Sequence, residues 1–227
     1  MMSIAENIAL IKADLPADVR LVAVSKTKPA ELLMKAYEHG QRIFGENKVQ
    51  EMVWKQDELP KDIEWHFIGH LQTNKIKYIA PFVQLIHGVD SFKLLKSIDN
   101  EAQKVNRKIH CLLQFYIAEE ETKFGFSMNE VLAMLNSDDF KTLENIAISG
   151  VMGMATYTND ENQVRKEFAH LKAIFEKLKL EYFAEAIDFK EISMGMSGDY
   201  RIAIEEGSTM VRIGSIIFGE RNNNSGT

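Results

Sequence analysis

The 227-residue chain has a single cysteine, Cys111, so no disulfide can form within it and a disulfide-stapled scaffold is excluded. Cys111 lies in the apolar run Cys111-Leu112-Leu113, where a small core residue is the expected role. No uncharged apolar run approaches the roughly 18 residues of a membrane span. The start, Met1-Met2-Ser3-Ile4-Ala5-Glu6, lacks the basic opening and apolar stretch of a secretory signal. Lysines and arginines are scattered rather than blocked, and the net charge is −6. Nucleic acid and anionic membrane surfaces are therefore not expected partners. There is no HExxH motif and no Cys/His cluster, so no metal site is expected. His66 and His70 are four apart where a strand passes into a loop, and that spacing does not put them on one face. No linker, low-complexity segment or charge block interrupts the chain, and Glu119-Glu120-Glu121 reads as a solvated loop. The chain is expected to be soluble and cytoplasmic.

What is present is ordinary in bulk and informative in order. Hydrophobic residues make up 45% of the chain, enough for one sizeable core, and the length fits a single α/β domain. The expected domain runs over 1–221. The tail Asn222-Asn223-Asn224-Ser225-Gly226-Thr227 has nothing apolar to dock and is expected to be disordered.

Eight short β-rich runs are expected as strands: Leu21–Ser25, Ile43–Glu46, Glu64–Ile68, Gln84–Val89, His110–Phe115, Ile146–Gly153, Glu191–Met194 and Val211–Gly214. Several are nearly continuous apolar runs, as in parallel strands covered on both faces. Helical patterns fill the gaps. Pro29 suits a first turn and Gly40 a left-handed end, around the stripe Leu32, Leu33, Ala36 and Tyr37. Ser91 can cap a helix with core face Leu94, Leu95, Ile98, Ala102 and Val105. Ser127 with Glu130, and Thr158 with Glu161, read as capping boxes. The second precedes the clearest helix, with Val164, Phe168, Leu171, Phe175 and Leu178. An extra helix, about Ser3–Ala13, comes before the first strand. Strands alternating with helices predict a single (β/α)8 TIM-type barrel, with a doubly wound open sheet as the rival.

A barrel places its site at the C-terminal ends of its strands. Lys26 closes the first strand. Two glycine- and serine-bearing turns follow strands seven and eight: Ser193-Met194-Gly195-Met196-Ser197-Gly198-Asp199 and Arg212-Ile213-Gly214-Ser215. Barrels commonly bind phosphate at these two loops, where free backbone N–H groups and a helix dipole meet an anion. A phosphate site facing a strand-end lysine suggests a phosphorylated aldehyde cofactor held as a Schiff base, that is pyridoxal 5′-phosphate (PLP) on Lys26. Arg212 is then a candidate neighbour of the pyridine nitrogen. A permanent cation there disfavours protonation of that nitrogen and weakens the ring as an electron sink.

The chain resembles the pyridoxal-phosphate homeostasis proteins, single-domain relatives of the alanine racemase N-terminal barrel domain. The resemblance rests on ordered stretches through most of the chain. They include Ala23-Val24-Ser25-Lys26-Thr27, Phe44-Gly45-Glu46-Asn47, His66-Phe67-Ile68-Gly69-His70-Leu71-Gln72-Thr73-Asn74-Lys75, Lys123-Phe124-Gly125-Phe126, and Gly207-Ser208-Thr209-Met210-Val211-Arg212-Ile213-Gly214. It implies Lys26 as the Schiff-base lysine and Ser197, Gly214 and Ser215 as phosphate ligands. It also implies Arg212 at the pyridine nitrogen, and Asn47, His66 and Met194 around the ring. The second, β-rich domain of alanine racemase, which supplies a second catalytic base, is expected to be absent. The resemblance thus implies a monomeric carrier in intracellular PLP homeostasis, delivering to apo PLP enzymes, rather than a robust catalyst. The rivals are a low-activity PLP-dependent racemase or transaminase and a phosphosugar enzyme with no cofactor.

Overall fold

The computed structural model describes residues 2–118 and 125–220; the expected tail at 222–227 and the acidic run at 119–121 lie outside them. Eight parallel strands close into one barrel in sequence order: β1 (Arg20–Val24), β2 (Ile43–Glu46), β3 (Glu64–Phe67), β4 (Leu85–Val89), β5 (Ile109–Gln114), β6 (Ile146–Met152), β7 (Glu191–Ser193) and β8 (Met210–Ile213). All eight fall within one residue of the expected spans. The open sheet is excluded, because β1 also pairs with β8, from Arg20↔Met210 to Ala23↔Ile213.

The helices begin where side chains satisfy their first N–H groups. Ser3 and Glu6 form a reciprocal capping box at α1 (Ile4–Asp14). Pro29 precedes α2 (Ala30–Glu38), and Gly40 beyond its end has φ +80°. Then come α3 (Val49–Glu58), a 3-10 turn at Thr73–Lys75, α4 (Ile76–Ile79), α5 (Phe92–Lys104), α6 (Met128–Leu135), α7 (Asp138–Lys141), α8 (Glu161–Glu181), α9 (Tyr200–Glu205) and α10 (Ser215–Phe218). Ser91 caps α5, and Ser127 with Glu130 caps α6 as expected. The start of α8 is a correction. Its cap is Asp160, which accepts from Asn162 N and Gln163 N, while Thr158 Oγ1 accepts from Asp160 N. Glu161 is therefore the first helical residue rather than the third, two positions too early to close a capping box.

Two apolar layers result. Leu21 and Ala23 of β1 face the helices and join the large strand–helix core, which also takes in Cys111, Phe168 and Leu171. Val22, between them, faces the barrel axis and packs with Leu85, Leu112, Met152 and Met210. Two-residue alternation along each strand produces this division. At the N-terminal mouth Arg20 spans the interior, pairing with Glu64 at 3.0 Å and Glu191 at 3.3 Å.

The seam between β6 and β7 depends on a missing side chain. Gly150 has φ +147°, and a Cβ there would stand 1.8 Å from the Glu191 carbonyl oxygen. Gly150→Ala is expected to cost roughly 3 kcal/mol or more, from overpacking and backbone strain together. Urea denaturation of the purified variant measures it.

Candidate functional site at the C-terminal mouth

A cleft of about 650 Å³ opens at the C-terminal ends of the strands, and Lys26, Ser197, Arg212, Gly214 and Ser215 all line it. Five of the eight expected site residues therefore share one cavity, although they come from opposite ends of the chain. The β1–β8 seam joins those ends. At its upper edge Gly214 passes so close to β1 that a Cβ would lie 2.9 Å from the Val24 carbonyl oxygen.

The two glycine/serine turns are tied together. Gly214 N donates to Ser197 Oγ at 3.4 Å, and Met196 N donates to Asp199 Oδ1 at 2.6 Å. Ser215 and Ile216 open α10, so their N–H groups precede any acceptor within that helix. Lys28 Nζ holds the other end of this short helix, donating to the carbonyls of Phe218, Gly219 and Glu220 at 3.1, 2.9 and 2.9 Å. Burial pushes the Asp199 carboxyl up from its ordinary value, against the pull of the Met196 N–H and the Arg212 guanidinium.

Arg212 is 5% exposed. Its Nη1 donates to Ser193 O at 2.9 Å and Ser193 Oγ at 2.6 Å, and its Nη2 to Gly153 O at 3.2 Å. Burial lowers its pKa to about 10, so it stays cationic at neutral pH. Among the described residues no carboxylate forms an ion pair with it. Behind it, Ser193 Oγ lies 3.0 Å from His87 Nδ1, and His87 Nε2 lies 3.0 Å from His66 Nδ1.

The direction of this chain follows from its first member. Arginine only donates, so Ser193 Oγ accepts from it and gives its own proton to His87 Nδ1. His87 Nε2–H then donates to His66 Nδ1, leaving His66 Nε2–H as the one group of this hydrogen-bonded chain without a partner among the described residues. The opposite direction would strand the serine proton as well. Both rings stay neutral because burial opposes their charge, with His66 lowered to about 3 and His87 well below 6.5.

Three expected residues do not line the cleft. Met194 is fully buried and belongs to the strand–helix core, because Ser193 turns inward and alternation sends Met194 out. His66 faces inward but one layer too low: Ile68, two residues on, reaches the cleft. His66 instead borders a smaller cleft of about 160 Å³ that also takes in Arg20, Glu64 and Glu191. Asn47 is half-buried just past β2, its backbone pressed against Gly69, where a Cβ would stand 2.6 Å from Asn47 O. Conversely, Ser193, read in the sequence only as the start of its turn, and His87, read only as part of a strand, form the support beneath Arg212. The inward phase of β7 was the only signal for Ser193.

Known proteins bear on this geometry. The family profile described as "Alanine racemase, N-terminal domain" matches residues 1–222. The pyridoxal phosphate homeostasis protein of Aquifex aeolicus (strain VF5) is 39% identical, over 89% of this chain and 87% of its own. The one of Homo sapiens is 40% identical, over 92% of this chain and 79% of its own. The chain belongs to this family. PipY of Synechococcus elongatus PCC7942, solved with PLP bound, superposes with a TM-score of 0.85 at 35% identity, over 96% of this chain and 100% of that one. The alanine racemase of Clostridium difficile 630 shares the fold, with a TM-score of 0.73 at 16% identity, over 98% of this chain and 61% of that one.

The donor set of the cleft fits PLP. It combines a primary amine, a guanidinium with no carboxylate ion pair among the described residues, a serine hydroxyl and backbone N–H groups at a helix start.

The buried histidines make stability depend on pH. His66 has a folded pKa near 3 against an ordinary 6.5, so the unfolded chain binds more protons between those values and stability falls as pH falls. A His66→Gln variant lacks this loss. The unfolding free energy of the native protein minus that of the variant is expected to drop by about 1.4 kcal/mol per pH unit below pH 6.5. Urea titrations at a series of pH values check the slope.

Proposed function

We propose that the chain binds PLP covalently through Lys26 and serves in PLP homeostasis, holding the cofactor and passing it to apo PLP enzymes. The observation that carries this reading is the convergence of Lys26, Arg212 and the two glycine/serine turns on one cleft. Its volume is within the ordinary range for cofactor sites. The cofactor supplies a reactive aldehyde, which condenses with a primary amine and releases water.

The protein supplies placement and charge. Lys26 offers the amine at the end of β1. Ser197, Gly214 and Ser215 would hold the phosphate with a hydroxyl and backbone N–H groups. Arg212, locked by Ser193 and Gly153, would supply a fixed cation at the pyridine nitrogen. A guanidinium that keeps its proton at neutral pH would not protonate that nitrogen, so carbanion chemistry would gain little from the ring. Storage and transfer suit such a site better than chemistry that needs a strongly stabilised carbanion. Holding the aldehyde also keeps it from modifying other amines. In this reading the protein works as a monomer in the cytoplasm; among the described residues no helix is long and apolar enough to cross a membrane.

Mixing the purified protein with PLP is expected to produce a visible absorption band. Borohydride should then fix one cofactor to the peptide containing Lys26, as read by mass spectrometry. Lys26→Ala should lose both signals. A native protein that remains colourless and unlabelled would overturn the reading. An α-proton exchange assay over a panel of amino acids is expected to show no turnover at ordinary enzymatic rates, and turnover abolished by Lys26→Ala would make the protein a catalyst.

A further inference from the structure

Directly beneath Lys26 lies a buried charge cluster that the proposed function does not use. Lys55 of α3 is fully buried. Its Nζ donates to Glu46 Oε1 at 2.7 Å, Glu51 Oε1 at 2.7 Å and the backbone carbonyl of Ser25 at 2.8 Å. Ser25 Oγ donates to Glu46 Oε1 at 2.6 Å, and Thr27 N donates to Glu51 Oε1 at 2.6 Å. The residues before and after Lys26 are thus both held by one cluster, while Ser25 N is tied to Gly45 O at 3.0 Å across the sheet.

The backbone held in this way is strained. Lys28 N donates to Ser25 O at 3.0 Å, closing a four-residue turn with Lys26 second and Thr27 third. Thr27 has φ +65°. Turns needing a positive φ at the third position usually place glycine or asparagine there, and a β-branched residue is disfavoured. Thr27 is exposed, so side-chain packing does not impose this conformation. What opposes the strain is hydrogen bonding to the backbone on either side.

Stability alone gives a poor account of the cluster. A buried ion pair is often no more stabilising than apolar residues of the same volume, and Val49 and Met52 of the same helix already dock it against the core. Glu46 also leaves Oε2 buried with no partner, and burial pushes its carboxyl up to about 7 against the pull of Lys55 and Ser25. The distinctive work of these groups is at the Ser25 carbonyl and the Thr27 amide.

We propose that Lys55, with Glu46 and Glu51, is a positioning cluster that holds the strained turn Ser25–Lys28 and so keeps the Lys26 amine where the cofactor aldehyde meets it. The inference rests on Lys26 being the attachment point. The cluster touches no ligand and acts only through the turn.

Lys55→Met removes the bonds to Ser25 and both carboxylates, and lowers the fraction of molecules with the competent turn. Apparent PLP affinity, titrated by the visible band, is expected to fall about tenfold, in proportion to that fraction. The borohydride-trapped yield at Lys26 should fall with it. Thr27→Gly makes the positive φ unstrained, so the double variant should recover most of the loss. Far-UV circular dichroism and thermal melting verify that each variant is folded.

A folded Lys55→Met protein with native affinity would overturn the proposal. So would a weakened one that Thr27→Gly leaves unimproved, since the cluster would then act by some route other than the turn. Should Lys55→Met fail to fold, Glu51→Ala removes only the Thr27 acceptor and one partner of Lys55. It is expected to weaken PLP binding in the same direction, and native binding in that variant would equally overturn the proposal. Failure of the native protein to take up PLP on Lys26 removes the proposed function itself. Native uptake with indifferent variants removes only the positioning cluster.

Discussion

The hydrogen-bonded seam between β1 and β8 is the constraint on which the site depends. Arg20–Ala23 pair in register with Met210–Ile213, and that pairing brings the first strand of the chain beside the last. Lys26 projects from one side of the seam and Arg212, Gly214 and Ser215 from the other. In an open sheet the same residues could lie at opposite edges with no common cavity. Closure also leaves no exposed sheet edge, so the geometry that assembles the cleft also protects the fold.

Inside the barrel, polar and apolar layers alternate along the axis. The N-terminal mouth holds Arg20 between Glu64 and Glu191. An apolar layer around Val22, Leu112 and Met210 lies within, and the neutral chain His66–His87–Ser193 runs up to Arg212. Neutral histidines let the barrel carry a buried cation near its C-terminal mouth without adding like charges beneath it. The desolvation that costs Arg212 part of its basicity also makes its charge more effective, because little water screens it. Lys26 is treated differently. Its neighbours Ser25 and Thr27 are fixed through their backbone by charges lying below the turn, while its own side chain faces the cleft.

Much of this was legible in the sequence because it is local. Each strand announced itself as a short β-rich run, several of them apolar, and Ser91 and Ser127 announced helix starts through their own hydroxyls. Thr158 misled because two capping candidates lie within three residues, and the acidic one, Asp160, meets the helix N-terminus better. Met194 was misplaced for a comparably small reason. Residues 193 and 194 differ only in phase along the strand, and phase sends one into the barrel beneath Arg212 and the other to the helices. Lys55 gave no signal. A lysine four residues from a glutamate on a helix usually reads as a solvated pair, and only packing α3 against β2 reveals that it is buried.

The sequence by itself determined the alternation of strands and helices, which left a barrel and an open sheet as the two architectures, and the kinds of groups at the strand ends: an amine after the first strand, glycine and serine after the last two. These follow from periodicity and residue type, which act over a few residues. Only the tertiary structure decided which groups share a cavity, how Arg212 is aimed, why His66 falls one layer short, and what holds the turn around Lys26. Those depend on strand register, inward phase and burial, and each is set by contacts between segments far apart in the chain.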